Sequence, residues 1–78
     1  MKDITVNYYG KLAELIGTNQ ELVQTTAESI GDFSLFLRQR HPSLCDMTLQ
    51  IAQNNHIESS EAPLSSKEVD VFPPFSGG

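Results

Sequence analysis

The sequence predicts an α+β domain, a mixed sheet with one long helix laid across one face. Three observations carry this. Apolar and polar residues alternate in short stretches, a single segment near residues 29–41 has the spacing of a longer helix, and the order is strand, short helix, strand, long helix, strand and final strand. A chain of 78 residues makes one domain with a small core and no room for a deep private active site.

Each element has its own local reason. Ile4, Val6 and Tyr8 alternate with Thr5, Asn7 and Tyr9, the period-two pattern of a first strand with one buried face. Gly10 interrupts it. Lys11 to Ile16 reads as a short helix whose Leu12, Leu15 and Ile16 share a face, and Gly17 is a natural stop. Glu21 to Thr25 reads as a second strand. The longest helix runs from about Ser29 to His41, with Ile30, Phe33 and Leu37 on one stripe and Phe36 beside it. Ser29 can cap it, Asp32 suits its first turn, and Pro42 ends it. A third strand carries Met47, Leu49 and Ile51 on one side, and Asn54-Asn55 supplies turn chemistry after it. The polar stretch from Glu58 to Ser66 is expected to be irregular, and Glu68 to Phe72 is the last strand.

Composition narrows the function. A net charge of −5 argues against nucleic acid, whose phosphates are met by Lys and Arg, and suits basic protein partners. No apolar run is long enough to cross a membrane, and no secretory pattern opens the chain, so a cytoplasmic location is expected. The single Cys45 cannot form an internal disulfide and reads as a partly buried spectator thiol. His41 and His56 are far apart, with no convergent ligand set around them, so no metal site is expected. Glu58 and Glu61 fall in the polar loop and read as solvated surface. There is no nucleophile elbow and no phosphate-cradling glycine loop. The chain is therefore expected not to be catalytic by itself and to hold no permanent cofactor.

One reactive group stands apart. The sequence ends Phe72-Pro73-Pro74-Phe75-Ser76-Gly77-Gly78, which divides it into a domain over residues 1–72 and a protruding, flexible Gly-Gly tail over residues 73–78. The prolines cannot extend the ladder and stiffen the exit. Glycine has no side chain to obstruct a narrow channel. At about 3.3 Å per residue the tail would span about 20 Å, enough to carry Gly78 into a partner's active site while the body stays outside. A free carboxylate is a poor electrophile. An ATP-using partner could activate it as an acyl-adenylate, from which sulfur would displace AMP to leave a thiocarboxylate.

At these residues the chain resembles the small, sulfur-carrying subunit of molybdopterin synthase, within the ubiquitin-like β-grasp group. The strongest matches are the terminal segment just quoted and Leu64 with Glu68-Val69 ahead of it. Gly10-Lys11-Leu12-Ala13-Glu14-Leu15-Ile16-Gly17 is similar to that family's first helix, and Ile51-Ala52-Gln53-Asn54 to one of its turns. The resemblance implies that an E1-like enzyme adenylates Gly78 with ATP and that a sulfur donor protein converts it to a thiocarboxylate. The large synthase subunit then receives the tail, in a heterotetramer, to build the dithiolene of molybdenum cofactor. Gly77 and Gly78 would enter that subunit's pocket, with Phe75 as a hydrophobic anchor and Pro73, Pro74 and Ser76 as further contacts. Three positions depart from the family pattern: Phe75 replaces the common valine at the anchor, Ser65-Ser66-Lys67 stands where an Asp-Gly turn is frequent, and Gln53 lies where a valine is usual, a position that bears on strand register. The same carboxylate chemistry also serves carriers for thiamine thiazole, tRNA thiolation or cysteine synthesis, and ubiquitin-like modifiers of lysine. A non-covalent binding module is the reading of another class. The Pro73-Pro74 pair and the long helix disfavour the thiazole carrier.

Overall fold

The computed structural model describes residues 1–73, so all but Pro73 of the expected flexible tail over residues 73–78 lies outside the described residues. The alternating stretches become β1 (Lys2–Tyr8), β2 (Gln20–Thr25), β3 (Gln50–Gln53), β4 (His56–Ile57) and β5 (Glu68–Phe72). The helical stretches become α1 (Lys11–Ile16) and α2 (Ile30–Arg40), followed by a 3-10 turn at Pro42–Leu44. The five strands form one sheet in the order β2-β1-β5-β3-β4. β1 pairs with β5 in parallel, and the other neighbouring pairs are antiparallel. This is the expected mixed sheet with its main helix.

Strand alternation decides what the core contains. Ile4, Val6 and Tyr8 of β1, Val23 of β2, Ile51 of β3, and Val69 and Val71 of β5 are buried. Ile30, Phe33 and Leu37, the predicted stripe of α2, are buried in the same cluster, with Phe36 partly buried beside it. Leu12 of α1 joins them, and Ile16 packs against the cluster. Leu15 does not: it is 50% exposed, contrary to the shared face expected of it. In this helix of 6 residues the core takes the i, i+4 pair Leu12 and Ile16 with Ala13 beside them, and Glu14 and Leu15 face outward.

The first turn of α2 shows why the polar loop can be irregular. A helix begins with four backbone N–H groups that lack intrahelical partners. Here Ile30 N–H donates to the Ala62 carbonyl at 2.9 Å and Gly31 N–H to the Ser60 carbonyl at 2.9 Å. Asp32 N–H donates to Ser29 Oγ at 3.1 Å, the predicted cap, and Phe33 N–H to the Ser29 carbonyl at 3.0 Å. The loop serves as the helix's partner, and it comes close. A Cβ on Gly31 would stand 3.0 Å from the Ser60 carbonyl oxygen, so glycine at that position is a condition of the contact.

Three further expectations are corrected. The third strand starts later than the alternation of Met47, Leu49 and Ile51 suggests. The Met47 carbonyl is taken by Arg38 Nη2 at 2.9 Å, and Met47 N–H closes a turn onto Leu44 at 3.1 Å, so no ladder forms there. Met47 and Leu49 instead lean on the core from the connection. The Asn54-Asn55 turn, with φ of 54° and 66°, returns the chain as β4, a strand of two residues that the sequence reading left out. Asparagine tolerates this left-handed geometry better than most residues. Cys45 is exposed, because Leu44 takes the core position of the 3-10 turn.

Gln53, a polar residue near the end of β3, is buried, and its partners explain how. Only 4% exposed, it uses both ends of its amide. Nε2 donates to the Pro63 carbonyl at 2.7 Å and to Glu58 Oε2 at 2.9 Å, while Oε1 accepts from Ser65 N–H at 3.1 Å and Ser66 N–H at 3.2 Å. The same contacts give Glu58 a partner and hold the Ser65-Ser66-Lys67 segment before it enters β5. Truncating this side chain leaves several buried polar groups unpaired at once, each costing about 1–3 kcal/mol. Gln53→Ala is therefore expected to lower unfolding free energy by about 3 kcal/mol, read as a lower urea midpoint at unchanged m. A loss below about 1 kcal/mol would contradict this role for the amide.

Candidate functional site

The site predicted from sequence is the C-terminal segment, and the described part of it is its root. β5 is the central strand, flanked by β1 and β3. Its parallel ladder with β1 runs from Thr5 N–H on the Lys67 carbonyl (2.8 Å) to Tyr9 N–H on the Val71 carbonyl (3.1 Å). The chain leaving Phe72 is thus held up to its last strand residue. Pro73 is half-buried against the junction of β1 and α1, where a Cβ on Gly10 would lie 3.4 Å from Pro73 Cγ. Of the other predicted site residues, Pro74, Phe75, Ser76, Gly77 and Gly78 lie outside the described residues.

Around the root the outer sheet face is polar and acidic with apolar edges. Cross-strand register places Gln20, Asn7, Asp70, Ala52 and Ile57 in one row, with Glu68 and Leu22 flanking Thr5 in the next. Asn7 Nδ2 donates to Glu68 Oε2 at 2.8 Å and to Asp70 Oδ1 at 3.0 Å, and Gln20 Nε2 donates to Asn7 Oδ1 at 2.9 Å. Cross-strand side-chain pairs of this kind align the strands without closing the face to a partner. The ring of Tyr9 stacks on that of Phe72 with centroids 4.8 Å apart. Asp70, then partial burial, pushes the Tyr9 hydroxyl above its ordinary range.

A second polar group lies at the edge of the core. Glu21 of β2 accepts at Oε1 from the Tyr8 hydroxyl (2.6 Å) and from His41 Nε2–H (2.7 Å), and at Oε2 from Arg40 (3.2 Å). The edge of Tyr8 meets the His41 ring, with centroids 6.0 Å apart. Burial alone would push the Glu21 carboxyl up, but hydrogen bonds from Tyr8, His41 and Arg40 outweigh it and hold the group at about 2. Tyr8 moves the opposite way, raised by burial and then by its bond to Glu21. This assembly ties β1, β2 and the C-terminal end of α2 together. His41 is thus spent on structure, and His56 is exposed on β4. Among the described residues no cluster of three or more His, Cys, Asp or Glu side chains could hold a metal ion, and no helix is long and apolar enough to cross a membrane.

With the fold and root in place, comparison with known proteins decides the family. The sequence model of the ThiS family matches residues 6–78. The chain belongs to the ThiS family. Its members are small carriers and modifiers, non-catalytic in themselves and without a permanent cofactor, that work with E1-like activating enzymes. A search of curated proteins returned no match. Among solved structures, the fold is similar to that of a Pyrococcus furiosus protein described as molybdopterin converting factor, subunit 1 (TM-score 0.83, 21% identity, covering 96% of this chain and 100% of that one). It is also similar to small archaeal modifier protein 1 of Haloferax volcanii (TM-score 0.78, 22% identity, 97% and 99% covered) and of Methanosarcina acetivorans (0.75, 24%, 100% and 98%). At these identities the likeness establishes the β-grasp fold.

Sequence reasoning found the strand at the root, but missed the polar group around Glu21 and, separately, the contacts of Tyr9 with Phe72 and of Gly10 with Pro73. Glu21 generates a test by acid titration. A carboxyl held below its ordinary value of 4.5 contributes stability that is fully present above that value and is lost as pH falls toward about 2. Thermal melts of the wild type and Glu21→Gln are expected to converge across this window, the wild type losing its advantage as pH falls. Parallel profiles down to pH about 2 would show that the ionised carboxylate is not what the three donors stabilise.

Proposed function

We propose that this protein is a sulfur carrier whose Gly78 carboxylate is activated and loaded, and that it serves as the small subunit of molybdopterin synthase. The observation that carries the carrier reading is the family match running through Gly78, on a chain whose final strand is the centre of its sheet. A central strand is the firmest place from which to project a terminal segment, since its backbone is paired on both sides. In the proposed cycle an E1-like partner joins the Gly78 carboxylate to AMP, releasing pyrophosphate from ATP. Sulfide delivered by a donor protein then attacks the acyl-adenylate, AMP leaves, and the thiocarboxylate remains. The large synthase subunit takes up the tail, with Gly77 and Gly78 in its pocket, Phe75 as anchor, and Pro73, Pro74 and Ser76 along the way. Two loaded copies would supply both dithiolene sulfurs to the cyclic pyranopterin precursor. The Pro73-Pro74 pair before the Ser-Gly-Gly ending favours this recipient over a thiazole carrier.

Mass spectrometry of the C-terminal peptide, after incubation with an E1-like enzyme, ATP and a sulfur source, tests the loading step. The expected result is an oxygen-to-sulfur exchange confined to Gly78 that disappears without ATP. The peptide is measured because oxidation of Met1 or Met47 nearly mimics that exchange in the intact mass. An unchanged carboxylate, with an enzyme proven active on its own carrier, would overturn the proposal, and Gly78 linked to a lysine would assign the chain to protein modification. Deleting Gly77 and Gly78 is expected to abolish loading while leaving the melting temperature within about 2 °C, since chain ends outside the packed elements add little stability. Unfolding on deletion would refute the separation of body and tail.

A further inference from the structure

Tyr9 is 44% exposed, so the core does not need its ring, yet the residue is fixed by three separate contacts. Its N–H donates to the Val71 carbonyl at 3.1 Å, its ring stacks on Phe72 at 4.8 Å with an interplanar angle of 13°, and its hydroxyl makes a longer contact of 3.4 Å to Asp70 Oδ1. Gly10 follows at φ 60° and ψ −135°, a backbone geometry that a side chain strongly disfavours, and Leu12 N–H closes the turn on the Tyr9 carbonyl at 3.2 Å. The turn faces Gly10 toward the Pro73 ring, so that a Cβ there would lie 3.4 Å from Pro73 Cγ.

These contacts converge on Phe72 and Pro73, where the chain leaves β5. Pro73 has its own φ fixed by its ring, and the residue before a proline is confined to extended geometry. The remaining freedom at Phe72 and Pro73 is restricted by Tyr9 on one ring and Gly10 against the other. We infer that Tyr9 and Gly10 form a platform that sets the direction in which the C-terminal segment departs, making Tyr9 a positioning residue for delivery of Gly78. Its consequence for delivery rests on the carrier reading above. A segment launched in a fixed direction loses less conformational freedom on entering a partner's channel. The benefit falls on capture of the carrier and leaves the chemistry at the carboxylate unchanged.

The test combines a measurement on the isolated protein with one on loading. Nuclear Overhauser contacts from Gly10 Hα to the Pro73 ring are expected in the wild type and in Tyr9→Phe, and are expected to be lost in Tyr9→Ala. With the activating enzyme, Tyr9→Ala is expected to raise KM for the carrier about tenfold with kcat within about twofold, and Tyr9→Phe to restore the wild-type KM. Because Tyr9 could instead touch the enzyme directly, Phe72→Ala and the double variant complete a cycle. The platform requires strong non-additivity, with the double variant no worse than about twofold beyond the worse single one. Additive effects, retained contacts in Tyr9→Ala, or a change confined to kcat would each overturn the inference. Should any variant melt more than about 10 °C below the wild type, the KM comparison is made with Tyr9→Leu, which keeps apolar cover but not the stack, and the same outcomes apply. If the wild type is not loaded by a competent enzyme, the carrier reading fails, and the Overhauser contacts alone decide whether the platform exists.

Discussion

The parallel pairing of β1 with β5 is the constraint on which the rest of this structure depends. It joins the two ends of the sequence, with Val6 opposite Val69 and Tyr8 opposite Val71, and it puts the last strand in the middle of the sheet. Every other arrangement follows from that insertion. β2 extends the sheet on one side through a short antiparallel return, and β3 with β4 extends it on the other. α2 must then cross the inner face to connect the two halves, and its buried Ile30, Phe33 and Leu37 meet the inward side chains of β1, β3 and β5. The other side of the same sheet carries the polar row of Gln20, Asn7 and Asp70, beside the strand that ends at Phe72.

Two polar side chains stabilise the connections that this topology makes long. Gln53 serves the irregular segment before β5, and Glu21 joins the end of α2 to the strands. Each is acceptable near the core because its donors and acceptors are matched within hydrogen-bond distance, and no buried side-chain nitrogen or oxygen among the described residues lacks a partner. The two differ in chemistry. Gln53 is neutral and insensitive to pH, whereas Glu21 is ionised and draws three donors from two other elements. One fixes a loop in all conditions, and the other makes the union of helix and sheet depend on charge.

The elements were legible in the sequence where a local signal is also the deciding one. Alternation around Val6 and Val69, the cap at Ser29, the stop at Gly17 and the turn at Asn54-Asn55 each act within a few residues, and each was read correctly. The failures share a different cause. Leu15 and Cys45 sit on elements too short for periodicity to say which face is covered. β3 begins late because Arg38, 9 residues away in sequence, takes a carbonyl that the ladder would otherwise use. Glu21 and Gln53 look like ordinary polar residues, since their partners come from distant parts of the chain. Tyr9 continued the alternation as an outward residue, and nothing local announced that Phe72 would lie beneath it. The Pro-Pro and Gly-Gly pairs of the terminal segment were prominent in sequence, while the contacts around Phe72 and Pro73 emerge only in three dimensions.

The central position of β5 also orders events during synthesis. A ribosome makes residues 68–72 after every other strand, so a nascent chain lacking them has β1 and β3 without the strand that separates them. Such a chain cannot complete its sheet, and parallel pairing between distant ends forms late in any case. The segment that would be charged is made after the strand that completes the domain. On the carrier reading proposed above, translation would couple readiness for activation to the finished fold, and an enzyme that recognised the sheet face beside the root would by the same contact reject an unfinished carrier.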